Sequence, residues 1–192
     1  MAILAGRHHL DTDSGRIVLT TLRDGLAAQA GHDLTIEAAT WSGELEVGAD
    51  SAPVRLEVRI DMTSLVVRQG SGGLKPLTDR DRRDIAATAR KVLAVQRYPE
   101  ATFSATAFEP AGAGDAGGVI AGTLTLNGRS RPLRLTVRPA GPGDYVATAS
   151  ITQSDYGIKP YTGFLGALKV RDAVGVQAEV SLPRASADQD RP

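Results

Sequence analysis

The chain is 192 residues long, and its charged residues balance, with 22 Lys plus Arg against 22 Asp plus Glu. This length fits one domain that can bury a core without disulfides or metals. The absence of cysteine excludes disulfides and cysteine-based zinc or redox sites. A neutral chain argues against broad electrostatic binding of nucleic acid or anionic membranes, and no apolar run reaches the roughly 20 residues of a transmembrane helix. We therefore expect a globular domain with no nucleic-acid partner and no integral membrane contact.

The N-terminal segment, residues 1–7, lacks the basic region and the apolar stretch of a signal peptide. A cytoplasmic location is expected if the natural chain begins here, and a periplasmic or secreted one if it begins earlier. His8, His9, Asp11 and Asp13 follow, and such side chains can bind metals. Adjacent residues of a strand point to opposite faces, so we expect a solvated terminal segment and no metal site.

Alternating apolar and polar residues predict β-strands through most of the chain. Residues 54–61 alternate strictly, and the same period of two recurs at 133–138 and 174–182. Between two such runs, Asn127-Gly128 predicts a tight hairpin turn. Further strands are expected near residues 16–22, 34–47, 101–109 and 144–153. About eight short strands indicate a sandwich or a barrel, and we expect a mostly antiparallel β domain closed into an eight-stranded barrel.

One segment departs from this alternation and predicts an amphipathic helix of about 15 residues. Thr78 is suited to cap its N-terminus, Asp81 can return a hydrogen bond to the Thr78 amide, and Pro99 stops it. Its apolar positions recur at helical spacing, at Ile85, Ala89, Val92 and Leu93. We expect this helix to pack across the barrel as a fixed element, and a moving gate is the alternative.

Two glycine-rich segments and the C-terminus complete the organisation. Residues 70–73 are expected to be a flexible connector, and residues 111–118 a hairpin loop. Both lack the Lys-Ser/Thr ending of a phosphate-binding loop. Residues 1–183 are expected to form the domain, and the polar residues 184–192 a disordered tail.

Five short segments resemble the YceI-like family. They are VRIDMTSL at 58–65, RYPEATFSA at 97–105, GTLTLNGRSRP at 122–132, DYGI at 155–158 and LKVRDAV at 168–174. They occur in the family's order and cover about residues 50–182. The resemblance implies a lipocalin-like barrel of eight antiparallel strands with an internal apolar cavity and a polyisoprenoid-type ligand. Residues 85–95 depart from it by lacking the family's usual pair of phenylalanines, and residues 30–37 by replacing its usual opening strand.

The interior of an eight-stranded barrel is just wide enough for side chains or for one small ligand. Aromatic residues make up only 4% of the chain, so small aliphatic side chains dominate the inward positions and leave room for a narrow tail. The candidate lining residues are Leu56, Val58, Ile60, Leu124, Leu126, Leu133, Leu135 and Val137. The alternative is that they close-pack as an ordinary core.

Five polar or aromatic residues are candidates for the mouth of such a barrel. His32 could donate a hydrogen bond to a ligand head group, and a turn that bonds its own backbone is the alternative. Tyr156, Tyr161 and Phe164 could close over a ligand, with Lys159 meeting an anionic head group. The alternative for this segment is an Ω-like loop packed on itself.

Together with the resemblance, these patterns predict a non-catalytic carrier that binds an isoprenoid or other lipid-like ligand and uses no cofactor. A packed barrel that serves as a structural or protein-interaction module is the first alternative, and an enzyme of unknown chemistry is the second. A Ser-His-carboxylate site would need those groups to converge, and the sequence has no Gly-x-Ser-x-Gly elbow. A homodimer is left open.

Overall fold

Strands with one apolar and one charged face dominate the computed structural model, which describes residues 3–112 and 117–184. The strands are β1 (Gly6–Leu10), β2 (Gly15–Thr21), β3 (Arg23–Asp24), β4 (Asp33–Ala38), β5 (Trp41–Val47), β6 (Pro53–Asp61), β7 (Leu65–Ser71), β8 (Glu100–Pro110), β9 (Gly118–Leu126), β10 (Arg129–Gly141), β11 (Asp144–Thr152), β12 (Thr162–Gly163), β13 (Leu168–Val170) and β14 (Ala173–Ser181). The helix α1 spans Asp79–Val92. Short 3-10 turns lie at Ala28–Ala30, Met62–Ser64, Gln153–Tyr156 and Phe164–Gly166. The predicted mostly β class with one helix is confirmed.

Eleven strands form one curled antiparallel sheet, in the order β1-β5-β6-β8-β9-β10-β11-β14-β2-β4-β7. Only Ala39 and Thr40 separate β4 from β5, and only the turn Met62–Ser64 separates β6 from β7, so each pair continues one long, bent strand. Because β4 pairs with β2 and β7 while β5 pairs with β6, the bent strands close the sheet on itself. Counting each bent pair once reduces eleven strands to nine. Leaving out β1, which pairs only with β5, gives the ring of eight. The large sheet thus has eleven strands instead of the predicted eight, because two strands are each divided by a bend and β1 is added beside β5.

A second, three-stranded sheet of β12, β13 and β3 lies at one end of this ring. The amide of Arg171 donates to the carbonyl of Leu22 at 2.8 Å, which joins the ends of β2 and β13. These three short strands were not predicted, because strands of two or three residues are too short to show a period of two.

The helix begins and packs as its sequence indicates. The hydroxyl of Thr78 accepts from the Asp81 amide at 3.2 Å, and the Asp81 carboxylate accepts from the Thr78 amide at 2.9 Å. The helix packs against β7, and its apolar residues Ile85, Ala89 and Val92 face the interior of the ring. Within residues 3–112 and 117–184, no helix has the length and hydropathy needed to cross a membrane.

Two predicted segments lie partly outside the described residues. The hairpin loop at 111–118 is closed by a hydrogen bond from the Ala111 amide to the Gly117 carbonyl at 2.9 Å, and residues 113–116 are outside the description. Of the predicted tail 184–192, Arg184 forms a β-bridge with Ile3, and residues 185–192 are outside the description.

The interior of the ring is filled unevenly. Strands β5, β6 and β8, here called the packed side, contribute the buried residues Trp41, Leu45, Val47, Leu56, Ala101, Phe103 and Ala105. Strands β10, β11 and β14, here called the hollow side, contribute no buried residue over their described lengths. Their inward side chains are only partly buried, and they include Leu133, Leu135, Ile151, Val176, Ala178 and Val180. Open space therefore lies in front of the hollow side.

Candidate functional site

An apolar cavity of about 920 Å³ occupies this space inside the ring. All of the aliphatic candidates from the sequence line it, namely Leu56, Val58, Ile60, Leu124, Leu126, Leu133, Leu135 and Val137. Strand register explains the convergence: Leu56 pairs with Ala105 across β6 and β8, and Leu133 pairs with Gly122 across β9 and β10. Since alternate residues of a strand share a face, their neighbours two positions away also point inward.

Small residues keep the hollow side open. Ala147 of β11 pairs with Ala178 of β14, and on its other side Ala147 pairs with Val137 of β10. Both alanines line the cavity. The two methyl groups lie side by side on adjacent strands and project only a short way into the barrel interior, which is wide enough to hold a ligand. The space in front of the centre of this wall therefore stays unfilled.

On the packed side, an aromatic ring occupies the corresponding space. Phe103 of β8 is 6% exposed and pairs with Leu124 of β9. A Cβ atom on the neighbouring Gly122 would lie 2.6 Å from Cζ of Phe103, so the ring rests directly on the glycine backbone. The absence of a side chain at Gly122 thereby leaves room for the Phe103 ring to pack directly on β9.

Few polar atoms reach the middle of the cavity wall. Nε1 of Trp41 and Oγ1 of Thr21 belong to lining residues, but both atoms are buried and have no hydrogen-bond partner. They therefore lie behind the wall surface. Gln153 also lines the cavity, and its Nε2 donates to the Arg171 carbonyl at 3.0 Å. Trp41 and Gln153 were not predicted as lining residues, although Trp41 begins the alternating strand β5.

The cavity wall reaches surface residues at both ends of the ring, and the two ends differ in charge. At the end beside β3 and α1, here called the basic end, the wall includes Arg23, His32 and Lys169, together with one carboxylate, Asp84 of α1. At the opposite end, the acidic end, it includes Asp50 and also Glu109, which forms an ion pair with Arg134 at 2.7 Å. An amphiphile inside the cavity would thus meet different charges at its two ends.

Two side chains of the basic end are held by backbone carbonyls. Nη1 of Arg23 donates to the Gly31 carbonyl at 2.7 Å, and the Asp33 carboxylate accepts from the Arg23 amide at 2.8 Å. Nε2 of His32 lies 2.8 Å from the Lys75 carbonyl oxygen. Over the described residues, the ring of His32 has no hydroxyl or carboxylate within hydrogen-bond distance. His32 therefore stands at the cavity rim and holds the segment 72–75, and its donation to a ligand head group stays a prediction.

The three aromatic candidates for the mouth lie in three different environments: the cavity wall, the core and the surface. Tyr161 lines the cavity at the basic end and is 40% exposed. Tyr156 packs into the core, where burial raises the pKa of its phenol and the nearby Asp155 raises it further. Phe164 is 67% exposed and points away from the cavity. Lys159 is exposed and lies outside the lining, whereas Lys169 is the lysine that lines the wall.

The two N-terminal histidines of β1 point to opposite faces. His8 is buried with Nε2 2.6 Å from the Leu4 carbonyl oxygen, while His9 is exposed and lies 3.7 Å from Asp11. In the described part of the chain, no group of three or more His, Asp or Glu side chains is placed to hold a metal ion.

Comparison with protein families matches residues 10–182 to the model of the YceI-like domain. Among curated proteins, a UPF0312 protein of Shewanella sp. strain MR-4 is 28% identical over 128 residues, which are 62% of this chain and 61% of that protein. A UPF0312 protein of Shewanella baltica strain OS155 is 27% identical over the same length. The chain thus spans about 61% of the length of these curated relatives.

Solved structures share the fold at low sequence identity. BcnA of Burkholderia cenocepacia superposes with a TM-score of 0.62 and 18% identity, covering 86% of this chain and 94% of that one. The YCEI protein of Campylobacter jejuni gives 0.58 and 18%, covering 79% and 85%. A domain of Saccharophagus degradans, described as a polyisoprenoid binding domain implicated in plant cell wall breakdown, gives 0.55 and 16%, covering 94% and 100%.

Proposed function

The chain belongs to the YceI-like family, and we propose that it is a non-catalytic carrier that holds one isoprenoid or other lipid-like amphiphile inside its ring of strands. The observation that carries this proposal is the apolar cavity of about 920 Å³ in front of the hollow side. That volume lies near the upper end of the roughly 300–1,000 Å³ range of small-molecule pockets. The polyisoprenoid-binding description of the Saccharophagus degradans domain supports the same ligand class.

The energetics of such binding are favourable. Burying apolar surface contributes about 25 cal/mol per Å², so a tail that buries roughly 400 Å² gains about 10 kcal/mol. Association and ordering of the tail cost several kcal/mol. The remaining free energy corresponds to a dissociation constant of roughly micromolar or tighter, which suits reversible carriage.

The cavity also bears on the two alternatives. A packed barrel would need the inward residues of β10, β11 and β14 to be fully buried, yet Leu133, Leu135 and Val176 are only partly buried. An enzyme would need reactive groups that converge on the bound ligand. His32 bonds the Lys75 carbonyl, and the middle of the wall is aliphatic. Both observations favour a carrier.

The proposal is tested by native mass spectrometry of gently purified protein, followed by lipid extraction of the same sample. A bound mass that extracts as an isoprenoid supports the proposal. Geranylgeraniol is then titrated into delipidated protein, with the fluorescence of Trp41 as the reporter, because the chain's single tryptophan lines the cavity. Saturable quenching or enhancement is expected.

A matched pair of substitutions assigns the binding to the cavity. Leu135→Arg places a charge on the inward face of β10, whereas Thr136→Arg places the same charge on the outward face one residue later. Because a charge next to an apolar tail is costly to desolvate, Leu135→Arg should abolish the fluorescence change and Thr136→Arg should preserve it. Equal titration curves for both variants, or no uptake by the parent protein, would contradict the proposal.

A further inference from the structure

Exposed apolar side chains gather at the basic end of the cavity. Among the described residues, nine large hydrophobic side chains are exposed, and six of them form what we call the apolar rim: Leu22, Leu26, Leu74, Tyr161, Phe164 and Leu165. Leu26 is 101% exposed and Leu165 is 109% exposed, so both project fully into solvent. A contiguous exposed apolar patch is typical of an interaction site.

Backbone contacts bring the segments of the apolar rim together. The Ala27 amide donates to the Ala167 carbonyl at 2.9 Å, which places Leu26 beside the turn of Phe164 and Leu165. The segment 72–75 joins them, because Nε2 of His32 lies 2.8 Å from the Lys75 carbonyl oxygen. The apolar rim is thus one surface built from three loops.

The backbone of one loop holds its side chains outward. Phe164 has φ of 48° and Leu165 has φ of 54°, a left-handed conformation that bulky residues rarely adopt. Such strain is retained where the surrounding structure needs it. Here it keeps two large apolar side chains on the surface instead of folding them onto the small sheet of β3, β12 and β13.

The apolar rim surrounds an opening of the cavity. Tyr161 belongs both to the rim and to the cavity wall, and Leu168 and Val170 line the cavity within the same small sheet. At the acidic end, by contrast, the exposed residues on the wall include two carboxylates, Asp50 and Glu109, and only small apolar side chains, Ala52 and Pro110. An apolar ligand that leaves at the basic end would meet apolar side chains first.

Basic residues surround the apolar rim. Lys75, Lys159, Lys169 and Arg171 are exposed, and none forms an ion pair with a described residue. Three acidic residues lie among them: Asp24 is the strand partner of Lys169, Asp84 of α1 lines the cavity, and Asp81 lies near His32. Unpaired cations around protruding apolar side chains complement the anionic surface and apolar interior of a lipid bilayer.

From this combination we propose that the apolar rim docks the protein on the surface of an anionic lipid bilayer and that the ligand passes between bilayer and cavity at this end. The inference rests on the proposed carrier function for its cargo, but the docking itself depends only on the rim. Leu26, Phe164 and Leu165 enter the acyl boundary, and the surrounding lysines and Arg171 contact lipid phosphates. The cavity then opens into the membrane.

Vesicle co-sedimentation of the full chain tests the docking. Phosphatidylcholine vesicles with and without phosphatidylglycerol are compared, and the double substitution Leu26→Asp/Leu165→Asp is measured beside the parent. Both side chains are fully exposed, so the folded state should be unaffected. Removing two inserted leucines should weaken binding by at least about tenfold. Val54→Asp is the control, since Val54 is also exposed but is the second residue of β6, near the acidic end.

The expected result is that the parent and Val54→Asp bind phosphatidylglycerol vesicles more tightly than pure phosphatidylcholine vesicles and that the double variant loses this binding. Absence of vesicle binding by the parent would overturn the inference, and binding of a protein partner would then be the remaining explanation for the apolar rim. Equal binding by the double variant would also overturn it. Farnesol titrated without vesicles, followed by Trp41 fluorescence, should bind the double variant as well as the parent. If farnesol binds neither protein while the vesicle results hold, the carrier proposal fails and the docking stands.

Discussion

On the packed side, the large buried side chains of Trp41 and Phe103 fill the interior of the ring. On the hollow side, the paired residues of the adjacent strands β11 and β14 include two alanines, Ala147 and Ala178. Both sides alternate apolar and polar residues, and both turn their apolar residues inward. The difference shows that a period of two determines which face is inward but not whether the inward face is filled. Filling depends on side-chain volume at positions that meet across the ring.

The largest expected effect compares the same truncation on the two sides. Leu56→Ala on the packed side removes a side chain that is 8% exposed, and such core truncations cost about 2–5 kcal/mol of unfolding free energy. Leu135→Ala on the hollow side should cost less than about half of that, because its side chain already faces open space. Urea unfolding of both variants measures the difference. Equal losses would mean that the cavity is collapsed in solution.

Enlarging a small residue should also destabilise the packed side more than the hollow side. Ala105→Leu overpacks the packed side, where Ala105 is 3% exposed, and should destabilise the protein by about 1–3 kcal/mol. Ala178→Leu projects into the cavity and should change stability by no more than about 0.5 kcal/mol. It should also weaken ligand uptake by reducing cavity volume. Thermal and urea unfolding, with geranylgeraniol titration, check both parts, and a strongly destabilised Ala178→Leu would contradict the contrast.

A smaller effect is expected at two strand glycines. A Cβ on Gly122 would lie 2.4 Å from the Ser104 carbonyl oxygen and 2.6 Å from Phe103, so Gly122→Ala should cost about 1–2 kcal/mol. A Cβ on Gly175 of β14 would meet nothing closer than 3.7 Å. Gly175→Ala should therefore raise stability by up to about 0.5–1 kcal/mol, since alanine loses less backbone entropy. Urea midpoints that fall equally would refute this difference in space around the two glycines.

The smallest effect concerns pH, and here the two sides should behave alike. Arg55 lowers the pKa of Glu57 on the packed side, and Arg16 lowers that of Glu179 on the hollow side, both from an ordinary value of 4.5. A lowered folded-state pKa contributes stability that is present above about pH 4.5 and is lost as pH falls through the folded value. The loss should be small because these pairs are exposed.

Urea midpoints at pH 7 and pH 3 measure this loss. Glu57→Gln and Glu179→Gln should each reduce the pH dependence slightly and by similar amounts, because both carboxylates lie on the outer face. A markedly larger effect of one substitution would show that the two outer faces differ electrostatically.

Local pattern predicted much of the fold and part of the candidate site. The alternation around Leu133, Leu135 and Val137 placed these side chains inward, and the capping box at Thr78 placed the start of α1. Tyr156 shows the limit of this reasoning, because its aromatic neighbours suggested a mouth, whereas the turn Gln153–Tyr156 carries it into the core. The apolar rim was not predicted, since its leucines lie in short loops without a period.

The sequence by itself determined the strand-rich class, the helix and the inward face of each long strand, because these follow from contacts between residues close in the chain. Only the tertiary structure decided that β4–β5 and β6–β7 bend and close the ring, that Ala147 meets Ala178, and that three loops join into the apolar rim. Each of these depends on which distant residues come together. Register and side-chain volume across the ring, rather than local propensity, set the size of the cavity and the position of its openings.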